Sequence, residues 1–572
     1  MPARRNIRQY ALLLALLLVL SLLLLYPIAL TLRGAFYANP AEASGFTLDN
    51  LSRVLANPML VAGLFNSLKI AALTTILSCI IALPLAILSA RYTFPGKTAF
   101  NALVLVPMIL PPFVGAIGFK MILGSEGMLN TLIGTHIDFI GNAQLWGVIL
   151  VQSLSLYPII YLNASAALAN LDPALDESAE NLGAGFWRRL IWITLPLIRP
   201  GIFAGATIVF IWAFTELGTP LVFEYRTVTP VQIFDGLKEI EGSAQPYALT
   251  LIMLTVALTC YALGKWLLGG QGHAMFAKAS RSAGQEKLPG IKGWSATAAF
   301  ALVSACALLP HLGVILTAFS GTGQWYQSVL PREFTLHNFH QALTSDLASG
   351  AINMSLLLAS SAVGIGLLLG ILIGYILVRT NIRGRALLDG LCMLPLAVPG
   401  LVMAFGYVAM SLRWPFGKGN PLEALSIVGS TPNPIPFLIA AYAIRRLPYI
   451  VRATVAGLQQ TSGQLEEAAM NLGATRATAV RRIIIPLIAA NLIAGALLAF
   501  SFAMLEVSDS LILAQQERHY PITKAIFAFS NRLADGPYIA SAMGVWGMAL
   551  LAVALVGASV MMGKKLGAIF RA

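Results

Sequence analysis

Three carboxylates and an arginine fall within otherwise apolar stretches of this chain: Glu216, Glu506, Asp509 one turn beyond it, and Arg445. A charge at a bilayer centre costs about 2.5–3.5 kcal/mol even on insertion scales, so each is a candidate for lining a translocation path or its outer gate. At about 1.5 Å rise per residue, both glutamates lie toward the outer end of a span. For a cationic metal they would be first contacts. Equally, they can be interface glutamates satisfied by local hydrogen bonds or by a docked binding protein. Arg445 is positioned to pair with Glu506 or Asp509, whereas Arg446 and Arg452 read as side chains snorkelling toward headgroups.

A second constellation is duplicated. Glu177-Ser178-Ala179-Glu-Asn-Leu-Gly183 is followed by two arginines, Ile193 and Pro196; Glu467-Ala468-Ala469-Met-Asn-Leu-Gly473 is followed by two arginines, Ile483 and Pro486. Glutamate, glycine and proline recur at one offset, which makes this a repeat with a register. A glutamate early in a short helix is favoured by the helix dipole, small residues admit a close partner, and glycine permits a sharp turn. The pattern predicts two compact helix-turn-helix knobs for docking; a lone copy would also fit an amphipathic interfacial loop.

Several chemistries are excluded. Pro95-Gly96-Lys97-Thr98 resembles the end of a phosphate-binding loop, but Arg91 occupies the position of its first glycine and no buried strand is expected before it. His337 and His340 are the one short histidine spacing, and they fall on an expected outer loop, so no metal site is assigned. Cys79, Cys260, Cys306 and Cys392 lack paired spacing and read as packing residues. Gly-x-Ser-x-Gly and His-Glu-x-x-His are absent. The chain is expected to be no enzyme by itself and to bind no cofactor.

These residues must be carried by membrane helices. The 572 residues are 58% hydrophobic and 11% charged, against roughly 25% charged in soluble proteins. Apolar runs begin near Tyr10, Leu64, Asn101, Ala143, Gly201 and Tyr247, and again near Trp294, Ile352, Leu387, Pro434, Asn491 and Tyr538. The expectation is an all-α polytopic membrane protein of about twelve spans. Its net charge of +13 sits in short clusters between spans, as the positive-inside rule requires and nucleic-acid binding does not. Arg4, Arg5, Arg91, Lys97, Lys278, Arg281, Arg379, Lys564, Lys565 and Arg571 then share the cytoplasmic face with both knobs and both termini. The first apolar run is too long for a signal peptide, and Ala41-Glu42-Ala43 lies too far beyond it to favour cleavage.

The chain divides into residues 1–268, a Gly/Ser/Ala-rich cytoplasmic linker 269–293, and 294–572. Phe46-Thr-Leu-Asp-Asn50 returns as Phe334-Thr-Leu-His-Asn338, Arg91 as Arg379, Pro107 and Pro111 as Pro395 and Pro399, and Glu216 as Glu506. An even number of spans per half makes the copies parallel, related by an axis along the membrane normal. Prolines 107, 111, 112, 395 and 399 should break or kink the third and ninth spans.

The paired motifs closely resemble the EAA loops of type I ABC importer permeases, with Ser178 for alanine and Ile485 for leucine as mild departures. The resemblance covers the last five spans of each half. It implies the MetI-like permease fold, with six helices per repeat, in a bacterial inner membrane. It also implies two copies of a cytoplasmic ABC ATPase carrying ATP and Mg, docked on the loops, and an extracytoplasmic solute-binding protein. The fused form is similar to ferric-iron, thiamine and aminoalkylphosphonate permeases. Ferric iron ranks first as cargo, with 2-aminoethylphosphonate, thiamine, polyamines or a sugar phosphate as alternatives. An ion-gradient-driven transporter, or a membrane scaffold without transport, are the readings from other classes.

Overall fold

The computed structural model describes residues 2–39, 44–137, 139–140, 144–239, 243–268, 286–429 and 432–562. The Ala41–Ala43 pattern, most of the expected linker, and Lys278, Arg281, Lys564, Lys565 and Arg571 lie outside the described residues. The chain is built of helices, because in hydrocarbon each backbone N–H and C=O must find its partner internally. Among the described residues, eight helices are long and apolar enough to cross a membrane, or up to eleven if each of three bent pairs is one span.

The helix Ile435–Gln460 falls outside that count: every 18-residue stretch of it contains Arg445, Arg446 and Arg452. Two of the bent pairs are the ones that proline foretells. Lys97–Ile109 and Pro112–Ile133 meet at 99°, and Arg385–Ala397 and Gly400–Ser411 at 104°. Proline holds the residue before it out of the α region, and Leu110, Pro111 and Val398 all have ψ near 130°. The third bend, 75° between Arg476–Leu487 and Ala489–Met504, has no counterpart in the first repeat, where Phe186–Thr215 runs through. That helix starts well before the expected Gly201, and the sixth of the eight long helices starts at Gly290, inside the expected linker.

The first helix of each repeat is exchanged. Ile7–Gly34 packs on the second repeat: Arg383 N donates to Tyr10 Oη, and Tyr407 Oη donates to Leu23 O at 2.6 Å. Gly290–Phe319 packs on the first: Thr297 Oγ1 donates to Pro95 O at 2.8 Å, and the Phe94 and Phe300 rings lie 5.0 Å apart. Matching crossings hold each exchange. Gly118 faces the backbone of Pro310 and Gly406 that of Pro27, so a Cβ at either glycine would strike main chain. The repeated Asn50 and Asn338 close the ends of these helices: Asn50 Nδ2 donates to Ala35 O and Tyr37 O, Asn338 Nδ2 to Ala318 O and Ser320 O.

These contacts also orient the molecule. Ile7–Gly34 starts beside the second repeat's Arg383 turn and ends at Tyr247 of the first, so both knobs lie at one end. His337 and His340 are found on the short helix His337–Thr344 instead of a loop.

Candidate functional site

Each knob is a helix, a left-handed turn and a second helix. In the first, Pro173–Asn181 is capped by Asp172, whose carboxylate accepts from Ala174 N at 3.0 Å. Gly183 follows at φ 84° and leads to Phe186–Arg189. In the second, Gln464–Asn471 is followed by Gly473 at φ 90° and Arg476–Ala479. The closing bonds match: Gly183 N to Glu180 O and Ala184 N to Ala179 O, Gly473 N to Met470 O and Ala474 N to Ala469 O. Glu177, Ser178, Glu467 and Ala468 are exposed, Ala179 is half-buried and Ala469 buried. Ile193 and Ile483 are half-buried and begin the return to the helical body, with Pro196 and Pro486 exposed just beyond.

Two features of the knobs escaped the sequence reading. Leu182 is 89% and Leu472 90% exposed at the tips, apolar groups with nothing laid over them. Each knob is also tied to the second long helix of its repeat through the acid preceding the motif glutamate. Arg91 at the end of Pro58–Arg91 meets Asp176 at 3.1 Å, and Arg379 at the end of Asp346–Arg379 meets Glu466 at 3.9 Å. Arg189 joins the first pair at 3.3 Å; Arg476 and the Tyr375 hydroxyl join the second. The signal was present, an acid at the same place in both motifs and an arginine at the same place in both helices, but their meeting is tertiary.

Away from the knobs, the turns holding Glu216 and Glu506 meet each other: a Cβ on Gly218 would lie 3.1 Å from Val507 Cγ1. The second-repeat side is a buried ionic cluster. Arg445 Nε lies 3.4 Å from Glu506 Oε2 and its Nη1 3.5 Å from Asp509 Oδ2. Arg446 donates from Nη2 to Glu506 and, at 3.0 Å, to Phe502 O. Arg446 therefore does not snorkel. It is spent on Glu506, while Arg452 pairs with Asp389 at 3.3 Å. Gly400, at the break in its helix, leaves the space that the Arg445 guanidinium fills.

The first-repeat side lacks these cations. Aligning Pro158 with Pro448 puts Ser155 and Leu156 where Arg445 and Arg446 stand, and aligning the glutamates puts Thr219 where Asp509 stands. Glu216 accepts from Thr219 N and Thr219 Oγ1, both at 3.3 Å. Beyond this cluster, between the repeats at the end opposite the knobs, opens a cavity of about 730 Å³.

A duplicated helical body, broken helices flanking a central charge cluster, and two matching knobs at one end define a polytopic membrane permease of two fused repeats. The family model described as "Binding-protein-dependent transport system inner membrane component" matches twice, over residues 82–316 and 366–560, and the chain belongs to that family. It is an ABC importer permease, a multi-pass protein of the inner membrane. The chain is 26% identical over 549 residues to the ferric transport system permease protein FbpB of Actinobacillus pleuropneumoniae, covering 92% of this chain and 74% of the relative. It is 29% identical over 207 residues to the molybdenum transport system permease protein ModB of Escherichia coli K12, covering 35% of this chain and 90% of that one.

Proposed function

We propose that this chain forms the whole membrane channel of an ATP-driven importer, and that its two knobs each dock one copy of a separate cytoplasmic ATPase, which carries the ATP and Mg. The observation that carries this reading is the equivalence of the knobs: same fold, same closing bonds, same exposed leucine, same arginine–acid tie to the helical body. A motor pushing on Glu177–Gly183 and Glu467–Gly473 would move Arg91 and Arg379, and with them the second long helix of each repeat. Twelve spans, counting the Arg-bearing Ile435–Gln460 and each bent pair, bring both termini and both knobs to the cytoplasmic side. The cavity end then faces a solute-binding protein, and residues 1–268 and 294–572 are the two halves.

Glu216, Glu506, Asp509 and Arg445 close the path between the halves as a gate. Ferric iron is the cargo that similarity over nearly the whole chain favours, by way of the FbpB relative. An ion-gradient-driven transporter would have no use for two matching knobs.

The test is reconstitution with the ATPase and binding protein. Gly183→Val and Gly473→Val place a β-branched residue at positive φ with open space around it, a backbone strain of about 1–2 kcal/mol confined to the knob. Each variant should insert normally yet lose ATP-driven uptake. Normal uptake in both, or uptake that persists without the ATPase and collapses with the ion gradient, would overturn the proposal.

A further inference from the structure

The far-end cavity has a polar lining unlike a cation site. Its charged side chains are Arg226, Asp235 and Lys524, accompanied by the amides Gln515, Gln516 and Asn531. Arg226 Nη1 meets both carboxylate oxygens of Asp235 at 3.1 Å, so those two charges cancel. Lys524 remains. It is buried, its ammonium donates to Leu511 O at 2.9 Å and lies 5.3 Å from the Phe234 ring centroid and 5.5 Å from that of Tyr520. Among the described residues no carboxylate stands within 4 Å of it. A buried ion without a counter-charge costs on the order of several kcal/mol, which a structural role does not require.

The other repeat shows that the position does not need a lysine. Thr229 N donates to Ser67 Oγ and Ile522 N to Ser355 Oγ, equivalent bonds that start the helices Thr229–Asp235 and Ile522–Ser530. With those residues matched, Val231 stands where Lys524 stands, and it is fully buried. Two more observations point the same way. The carboxylates of the neighbouring cluster, Glu506 and Asp509, are already held by Arg445 and Arg446. Among the described residues, no group of three or more His, Cys, Asp or Glu side chains could hold a bare metal ion.

We propose that this cavity binds oxyanion groups, with Lys524 as its fixed charge. The cargo reaches the closed gate either as a free oxyanion or as a metal ion wrapped in oxyanion ligands such as carboxylates or phosphate. The proposal rests on the permease reading, in which this end receives cargo.

The test is equilibrium binding to the purified full-length chain in lipid nanodiscs, at low salt, with inorganic phosphate, citrate and ferric citrate as probes. Lys524→Met should weaken binding at least tenfold and Lys524→Arg should retain it, with Lys524→Gln as a second neutral variant should the Met form fail to fold. Binding of phosphate or citrate alone identifies the free-anion source; preference for ferric citrate identifies the wrapped metal. Absence of binding by all three probes, or equal binding by wild type and the neutral variants, overturns the anion site. ATP-dependent uptake by proteoliposomes that hold the same variants together with the ATPase and the binding protein separates the two readings: its absence with wild type would overturn the permease mechanism and leave the binding result standing.

Discussion

Glu216 and Glu506 occupy equivalent turns of the two repeats and face each other across the middle of the molecule, yet they live in different chemistry. Glu506 is buried with two guanidinium groups and a second carboxylate; Glu216 is half-buried and held by the backbone and hydroxyl of Thr219. The changes that separate them are concerted. Where the first repeat has Pro112 at its helix break and Ser155 opposite, the second has Gly400 and Arg445, the glycine making room for the guanidinium. Val231 against Lys524 extends the same asymmetry into the cavity. Duplication made two similar scaffolds, and the charge was concentrated on one of them. The knobs, in contrast, kept their likeness, as the proposed docking of two copies of one ATPase requires, while the proposed single path between the halves does not require two equal walls.

The comparison breaks most sharply at Arg446. Removing one member of a buried ionic cluster strands the others, so Arg446→Met should destabilise the chain by about 3–5 kcal/mol. Glu216→Gln keeps an acceptor for Thr219 and should cost no more than about 0.5–1.5 kcal/mol. Thermal unfolding of the two variants in one detergent checks the difference, and equal losses would show that the halves are energetically alike after all. Adding Glu506→Gln to Arg446→Met should recover part of the loss, with a coupling of about 0.5–3 kcal/mol in a double-mutant cycle.

Much of this architecture is legible in the chain because it is local. Apolar length marks spans, proline marks the two breaks at 111–112 and 398–399, and glycine in register marks the left-handed turn at 183 and 473. Partner choice is not local. Nothing in a leucine-rich run says that Ile7–Gly34 will pack on the second repeat, or that Gly406 is the residue it crosses, because lipid-facing and protein-facing positions are equally apolar in a membrane. For the same reason Arg446 reads as a snorkelling side chain until Phe502 and Glu506 are brought alongside it. The apolar run near Pro434 marks Ile435–Gln460 even though it carries Arg445, Arg446 and Arg452, two of which make it part of the cluster. The bend at Ile488 has no such signal: no proline follows it at once, and its counterpart helix is unbroken.

The knobs themselves are less symmetric beneath than above. Glu466 is buried and shared by Arg379, Arg476 and the Tyr375 hydroxyl, whereas Asp176 is about a third exposed. Solvent screens the first tie, leaving it worth about 0–1 kcal/mol, so Asp176→Asn should be mild. Glu466→Gln should cost about 1–3 kcal/mol, the penalty for weakening hydrogen bonds and charge contacts around a buried group. Differential scanning fluorimetry of the two variants would sharpen the comparison: a larger shift for Glu466→Gln means that the second knob is the more rigidly mounted lever, and a larger one for Asp176→Asn reverses that assignment.

The smallest effect on the fold belongs to the tips. Leu182 and Leu472 are exposed and add nothing to the core, so Leu182→Ser and Leu472→Ser should change stability by no more than about 0.5 kcal/mol. Their expected effect lies wholly in docking. Two leucines of similar exposure, each one residue before a left-handed glycine, are apolar groups that the proposed docking would cover. If both sockets are used equally, either substitution should weaken pull-down of the ATPase and lower coupled hydrolysis to a similar extent, with the double variant abolishing both. A variant of one tip that loses coupling while the other retains it would show that the asymmetry at Glu216 and Glu506 reaches the motor, and that the two halves are driven by unequal strokes.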